Sequence, residues 1–187
     1  MGAGKTTLAR KLAAVLSAQA VLEETARHPF IHEFYESPGS FAVETELSFL
    51  LLHYHQLLRE KLRGAFSGSV ITDFAFERDY VFAKLTLKET RDWKLFEAVY
   101  DELTSRTPQP DLLVYLRAPL DFLRQRIRRR GREYERQITP SYLESVMVAL
   151  DRYFLEVYSG ARLVLDAPDL DDSINPDSIG TVLARLS

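Results

Sequence analysis

The chain has 187 residues, 46% of them hydrophobic and 27% charged, with a formal net charge of −3. That length suits one domain, 1–187, with apolar residues enough for a packed core, and the charge balance points to neither a nucleic-acid nor a membrane partner. The absence of cysteine excludes disulfides, thiolate metal sites and cysteine nucleophiles, and with no signal peptide and no apolar run of spanning length a cytoplasmic location is expected.

Thr6–Leu16 reads as a helix, with Leu8, Leu12, Val15 and Leu16 along one side. Ala20–Glu23 reads as a short strand. Phe41–Leu62 reads as a long helix whose apolar side carries Leu47, Leu50, Leu51, Tyr54, Leu57 and Leu58. Ser69–Thr72 is a predicted strand after a turn over Gly64–Gly68. A helical region broken near Leu87 runs to Leu103, and Pro108 and Pro110 close it. Leu112–Leu116 is a continuous apolar run, as a strand buried on both faces of a parallel sheet requires. Helices are expected over Leu120–Arg130, Pro140–Tyr158 and Asp177–Leu186, with a strand at Arg162–Asp166. Strands alternating with helices predict an α/β, doubly wound parallel sheet flanked by helices.

The chain opens on Met1-Gly2-Ala3-Gly4-Lys5-Thr6-Thr7, which has the ending of a Walker A phosphate loop. Glycines let backbone N–H groups turn onto phosphate, Lys5 suits the β- and γ-phosphates, and the Thr6 hydroxyl suits Mg²⁺. The helix that follows aims its positive end at the anion. The first glycine of the pattern would lie ahead of Met1, so the sheet's first strand is expected to be missing from the chain as given. That shortened loop keeps a non-catalytic nucleotide-binding protein in view as an alternative.

Several segments together resemble the deoxynucleoside kinase family. They are Gly2–Thr7, Leu22-Glu23-Glu24, His28-Pro29-Phe30 with Phe34-Tyr35-Glu36, Phe41–Leu57, Thr72–Asp79, Pro110–Leu116, Arg126–Glu135 and Tyr142-Leu143. Their order and spacing cover about residues 1–158. The resemblance implies a P-loop NTPase-type fold, usually a homodimer, that moves the γ-phosphoryl of ATP to the 5′-hydroxyl of a deoxynucleoside with Mg²⁺. A thymidylate-type nucleotide kinase is the enzymatic alternative, but that family shows Asp-Arg after the third strand where this chain has Asp73-Phe74.

The resemblance also implies residue roles. The family's general base ends the second strand, where Glu24 is the best match and Glu23 stands beside it; neighbouring strand residues face opposite ways, so one of the two faces the site. Asp73 is expected at Mg²⁺ with Thr6, and Arg78 is expected to supply catalytic positive charge. Arg124, Arg126, Arg128, Arg129, Arg130 and Arg132 crowd nine residues, in the place of the family's lid at about 124–136. Arg126 and Arg130 are expected to act on the transferring phosphoryl group, and Arg130 and Arg132 on ATP. Tyr35 and Glu135 match positions at the sugar 3′-hydroxyl. Glu46 stands at the position of a base-reading glutamine, and His53, seven residues on, where an arginine often stands. An ionised Glu46 only accepts hydrogen bonds and suits deoxyguanosine; a protonated one also suits adenine or cytosine. A metal site on His28, His32, His53 and His55 is not expected.

Overall fold

The periodicities become secondary structure in a computed structural model, which describes residues 2–37, 40–62, 68–88, 90–167 and 176–186. The turn expected over Gly64–Gly68 lies, but for Gly68, outside those residues. Two compact units are formed, one by residues 9–108 and one by residues 1–8 with 109–187. The boundary falls inside helix α1 (Lys5–Leu16), which buries Leu8, Ala9, Leu12 and Ala13 and leaves Val15 exposed.

In the unit of residues 9–108, strand β1 (Gln19–Val21) pairs in parallel with β2 (Val70–Thr72), Val21 opposite Thr72. Helices α2 (Ile31–Glu36), α3 (Ala42–Leu62), α4 (Phe76–Leu87) and α5 (Arg91–Thr104) complete it. Leu50, Ala83, Leu87, Trp93 and Phe96, from α3, α4 and α5, are its core. The Thr90 hydroxyl accepts the Trp93 N–H at 3.4 Å and starts α5 after the break near Leu87.

Helix α3 turns differently from its apolar pattern. Thr45, Glu46, Leu50, His53 and Gln56 are buried, whereas Leu51 is 41% exposed. A helix that buries polar side chains loses their hydration, and the loss is tolerable only where partners wait inside. The inward face of α3 is therefore where a site is to be sought.

In the other unit, β3 (Leu113–Arg117) pairs in parallel with β4 (Arg162–Asp166), Leu113 opposite Arg162 and Arg117 opposite Asp166. Helix α6 (Leu120–Arg130) stops at Gly131 in the left-handed conformation. A 3₁₀ turn at Glu133–Gln137 leads to α7 (Pro140–Arg152), which Thr139 caps by accepting the Tyr142 N–H at 3.2 Å. The helix expected to reach Tyr158 widens into a π-type turn at Tyr153–Val157. Helix α8 (Pro176–Leu186) is the last element, and Leu123, Ile127 and Leu143 pack α6 on α7.

The parallel strands and their alternation with helices are as expected; one continuous sheet is not. Among the described residues the strands form two separate pairs. A continuous sheet needs strands bonded along both edges, and each of these four has one strand neighbour.

Candidate active site

The unit built from residues 1–8 and 109–187 carries the phosphate-type loop. Gly2 (φ 74°) and Gly4 (φ 90°) both hold left-handed backbone, which side chains other than hydrogen resist. A Cβ on Gly2 would also stand 3.2 Å from the Leu123 carbonyl oxygen, so Gly2 is doubly constrained. Ala3 packs against the cluster of Leu123, Ile127 and Leu143. Helix α1 begins at once with Lys5, and the Leu8 N–H closes its first turn on the Gly4 carbonyl at 3.0 Å. The N–H groups of Lys5, Thr6 and Thr7 precede that bond in the first turn, the end of a helix whose dipole is positive.

Arg126 stands beside this loop. One of its guanidinium nitrogens would lie 3.7 Å from a Cβ on Gly4, and the guanidinium sits 5.4 Å from the Phe122 ring centre. Arg130 grips Glu135 at two points: its Nε donates to Oε2 at 3.1 Å and its Nη2 to Oε1. Glu135 is buried, so the pair is fixed on its carboxylate side. Arg132 donates to the Tyr134 hydroxyl at 2.8 Å. The arginine run thus divides, with Arg126 at the loop, Arg130 on Glu135, Arg132 on Tyr134, and Arg124 3.5 Å from Asp121.

In residues 9–108, charged side chains converge on the segment after β1. That strand ends at Val21, so strand alternation does not assign Glu23 and Glu24; their partners do. The Asp73 Oδ1 accepts the Glu23 N–H at 2.6 Å. Gln56 donates to the Leu22 carbonyl at 2.6 Å and accepts the Glu24 N–H at 3.4 Å. On this anchored segment the Glu23 Oε1 lies 3.7 Å from both Arg78 Nη1 and His53 Nε2. Glu24 takes the other direction, to Arg27 at 2.7 Å and Arg59 at 2.9 Å. The hydrogen bond from Arg27, ahead of that from Arg59, holds its carboxyl below the ordinary range.

Arg78 and Asp79 open helix α4. Burial opposes the charge of Arg78, but Glu23 and Asp79 outweigh it and hold the guanidinium protonated. Tyr35, on α2, adds to that field. His53 is 1% exposed, and its Nδ1 lies 2.6 Å from Asp79 Oδ2. Its ring stacks on Phe74 at 4.2 Å with planes 5° apart. Burial again disfavours the charge, yet the Coulomb field and hydrogen bond of Asp79, then Glu23, push the imidazole up to about 9. Both ring nitrogens are thereby turned to acids, a different surrounding from the nucleobase edge expected for His53. Glu46 is 3% exposed. Burial pushes its carboxyl up to about 8, with Asp79 adding to the rise and Thr86 opposing it. Its environment thus favours the protonated carboxyl at neutral pH rather than the carboxylate.

Thr6, in one unit, and Asp73, in the other, each carry a hard oxygen of the type Mg²⁺ takes. Among the described residues no group of three His, Asp or Glu could hold a metal by itself. Two residues escaped the sequence. Gln56 sits among leucines on α3, and only its burial against Leu22 reveals it. Asp79 is 2% exposed among Val81, Ala83 and Leu87, and an acid on the apolar side of a helix was its one available sign. His28 is structural: its Nε2 bonds the Thr45 carbonyl at 3.0 Å and its ring lies 4.0 Å from that of Phe49.

The sequence pattern described as deoxynucleoside kinase matches residues 1–184. A deoxyguanosine kinase of Bacillus subtilis (strain 168) is 32% identical over 148 residues, 79% of this chain and 71% of that protein. A deoxyadenosine/deoxycytidine kinase of the same organism is 26% identical, covering all of this chain and 88% of its own. A solved structure of a deoxyadenosine kinase from M. mycoides with bound dCTP superposes with a TM-score of 0.82 at 22% identity, over 100% of this chain and 94% of the other.

Proposed function

The chain belongs to the deoxynucleoside kinase family, and from that premise we propose that it transfers the γ-phosphoryl group of ATP to the 5′-hydroxyl of a purine deoxynucleoside, with Glu23 as proton acceptor. The observation that carries the choice is the Glu23 carboxylate lying 3.7 Å from both Arg78 and His53, while Glu24 is spent on Arg27 and Arg59.

Phosphoryl transfer asks the protein mainly for positioning and charge stabilisation. The 5′-oxygen forms its bond to the γ-phosphorus as its proton passes to a Glu23 oxygen. The bond from that phosphorus to the β–γ bridging oxygen breaks, and its electron pair leaves with ADP. Arg78, held cationic beside Glu23, steadies the 5′-oxygen. The loop of Gly2, Ala3, Gly4, Lys5, Thr6 and Thr7 receives the ATP phosphates, and Arg126, Arg130 and Arg132 add charge to them. Thr6 and Asp73 are the residues that would hold Mg²⁺, and the ion would supply positive charge to the ATP phosphates. Tyr35 offers its hydroxyl to the sugar, and Glu135 retains a second lone pair on each oxygen for the 3′-hydroxyl. Glu46 reads the base from the inward face of α3.

Phosphorylation rates of the Glu23→Gln and Glu24→Gln variants test the assignment. An amide cannot take the proton, so Glu23→Gln is expected to lower kcat by roughly 100-fold or more, with Glu24→Gln far milder. The reverse ranking returns the role to Glu24.

A further inference from the structure

We infer that His53 is a positioning residue for the transfer step, an imidazole fixed by Asp79 and Phe74 that aims the Glu23 carboxylate at the 5′-hydroxyl. The inference rests on Glu23 being the proton acceptor. It assigns His53 a task on the reacting side of the nucleoside in place of the base edge.

The ring has little freedom. Asp79 Oδ2 holds Nδ1 at 2.6 Å, and Asp79 is itself 2% exposed. Phe74 lies flat on the imidazole at 4.2 Å, and Phe49 stands 6.0 Å away at a tilt of 36°. With Nδ1 clamped, the direction of Nε2 follows, and it points at Glu23 Oε1, 3.7 Å away. Nε2 is buried and, among the described residues, has no hydrogen-bond partner within normal reach. A buried donor without an acceptor is destabilising, so a small shift of Glu23 that closes the gap is favoured. The backbone of Glu23 is already tied by the 2.6 Å bond from its N–H to Asp73, which leaves its side-chain torsions as the adjustable part.

The charged groups facing this centre come from each element around it. Arg78 and Asp79 project from α4, Glu23 from the segment after β1, and Glu46 and His53 from α3, with His28 and Tyr35 contributing weaker fields. Two cations, Arg78 and His53, meet two carboxylates, Glu23 and Asp79. An uncharged residue in place of His53 removes one of the two cations that face Glu23 and Asp79. Arg78 then has Asp79 as well as Glu23 to satisfy, and the Glu23 carboxylate loses one of its two guides. Histidine also suits the spacing: a rigid ring with donors at opposite corners bridges two acids.

A double-mutant cycle on kcat tests this. His53→Asn is expected to lower kcat on the order of 100-fold, the effect of misplacing a reacting group by about 1 Å, with less than a threefold change in KM for ATP. In a Glu23→Gln background the same substitution is expected to cost nothing further, because there is no acceptor left to aim. His53→Arg, which returns a donor to the same place, is expected to recover most of the rate. Equal losses from His53→Asn in both backgrounds, or no recovery with arginine, overturn the inference. If Glu23→Gln itself leaves kcat intact, the choice of Glu23 as base fails, which is a separate result. The unaltered protein gives a measurement independent of how the variants fold: the His53 Nε2 resonance is expected to move when a deoxynucleoside without ATP engages Glu23. An Nε2 resonance unmoved at nucleoside saturation overturns the inference as well.

Discussion

Asp73 takes the backbone N–H of Glu23 on its Oδ1 at 2.6 Å, so the residue just past β2 fixes the chain just past β1. Asp73 therefore has a structural task beside the metal task proposed for it, and two substitutions separate them. Asp73→Asn keeps an acceptor oxygen for Glu23 and removes the negative charge. It is expected to melt within a few degrees of the parent while needing much more Mg²⁺ for half-maximal rate. Asp73→Ala removes the acceptor of the half-buried Glu23 N–H and is expected to lose about 1–3 kcal/mol of stability. Thermal melts and Mg²⁺ titrations of both variants check this; equal Mg²⁺ dependence in Asp73→Asn and the parent removes Asp73 from the metal site.

Glu46 makes the stability of the ligand-free protein depend on pH. Burial raises its carboxyl from the ordinary 4.5 to about 8, so the folded state holds a proton that the unfolded chain gives up. Its contribution is full below the unfolded value, falls as pH rises from about 4.5 to about 8, and stays constant above that. Glu46→Gln cannot ionise. It is expected to match the parent near the acid end and to exceed it by roughly 3–5 kcal/mol at the alkaline end. Urea melts across that range check it, and a constant difference between the two proteins would falsify the burial argument. His53, raised to about 9 from 6.5, adds a loss of the same sign between those two values.

The same titration reaches base selectivity. A protonated Glu46 donates through O–H and accepts through C=O, which matches adenine at N1 and N6. An ionised Glu46 only accepts, which matches guanine at N1–H and the N2 amino group. The ratio of kcat/KM for deoxyguanosine over deoxyadenosine is therefore expected to rise between pH 7 and 9. A wrong hydrogen bond in a closed pocket costs about 1–3 kcal/mol, so the change is expected to be roughly 5- to 150-fold at its limit. Glu46→Gln is expected to flatten it. A ratio in the parent that ignores pH removes Glu46 as the base reader.

Loop geometry makes a prediction for ATP. Gly2→Ala forces a side chain into left-handed backbone at φ 74° and to 3.2 Å from the Leu123 carbonyl oxygen. The conformation alone costs about 1–2 kcal/mol, so the loop is expected to distort and KM for ATP to rise about tenfold or more. Lys5→Ala leaves the backbone as it is and removes the charge proposed at the β- and γ-phosphates, and is expected to lower kcat by orders of magnitude with an unchanged melt. Steady-state kinetics with far-ultraviolet melts distinguish the two modes, and a Lys5→Ala variant with normal kcat rules out the loop as the ATP site.

Periodicity and punctuation alone determined most of the elements. Leu112–Leu116 and the helices beginning at Leu120 and Pro140 announced their structures because each obeys local rules of burial and repeat. The loop at Gly2–Thr7 was legible for the same reason: left-handed backbone ahead of a helix start leaves its mark as glycines in the chain. What only the tertiary structure decided is direction. Leu51 and Glu46 are both helical positions on α3, and nothing local says that the carboxyl goes in and the leucine out. The outcome depends on distant Arg78, Asp79 and Thr86 around Glu46. The choice between Glu23 and Glu24 is of the same kind. The two are chemically identical neighbours, and they part because Asp73 and Gln56, 50 and 32 residues on, hold their backbone while Arg78 and His53 wait on one side and Arg59 on the other. A side chain's role at the site is set by partners far along the chain, and spacing between neighbours carries no record of them.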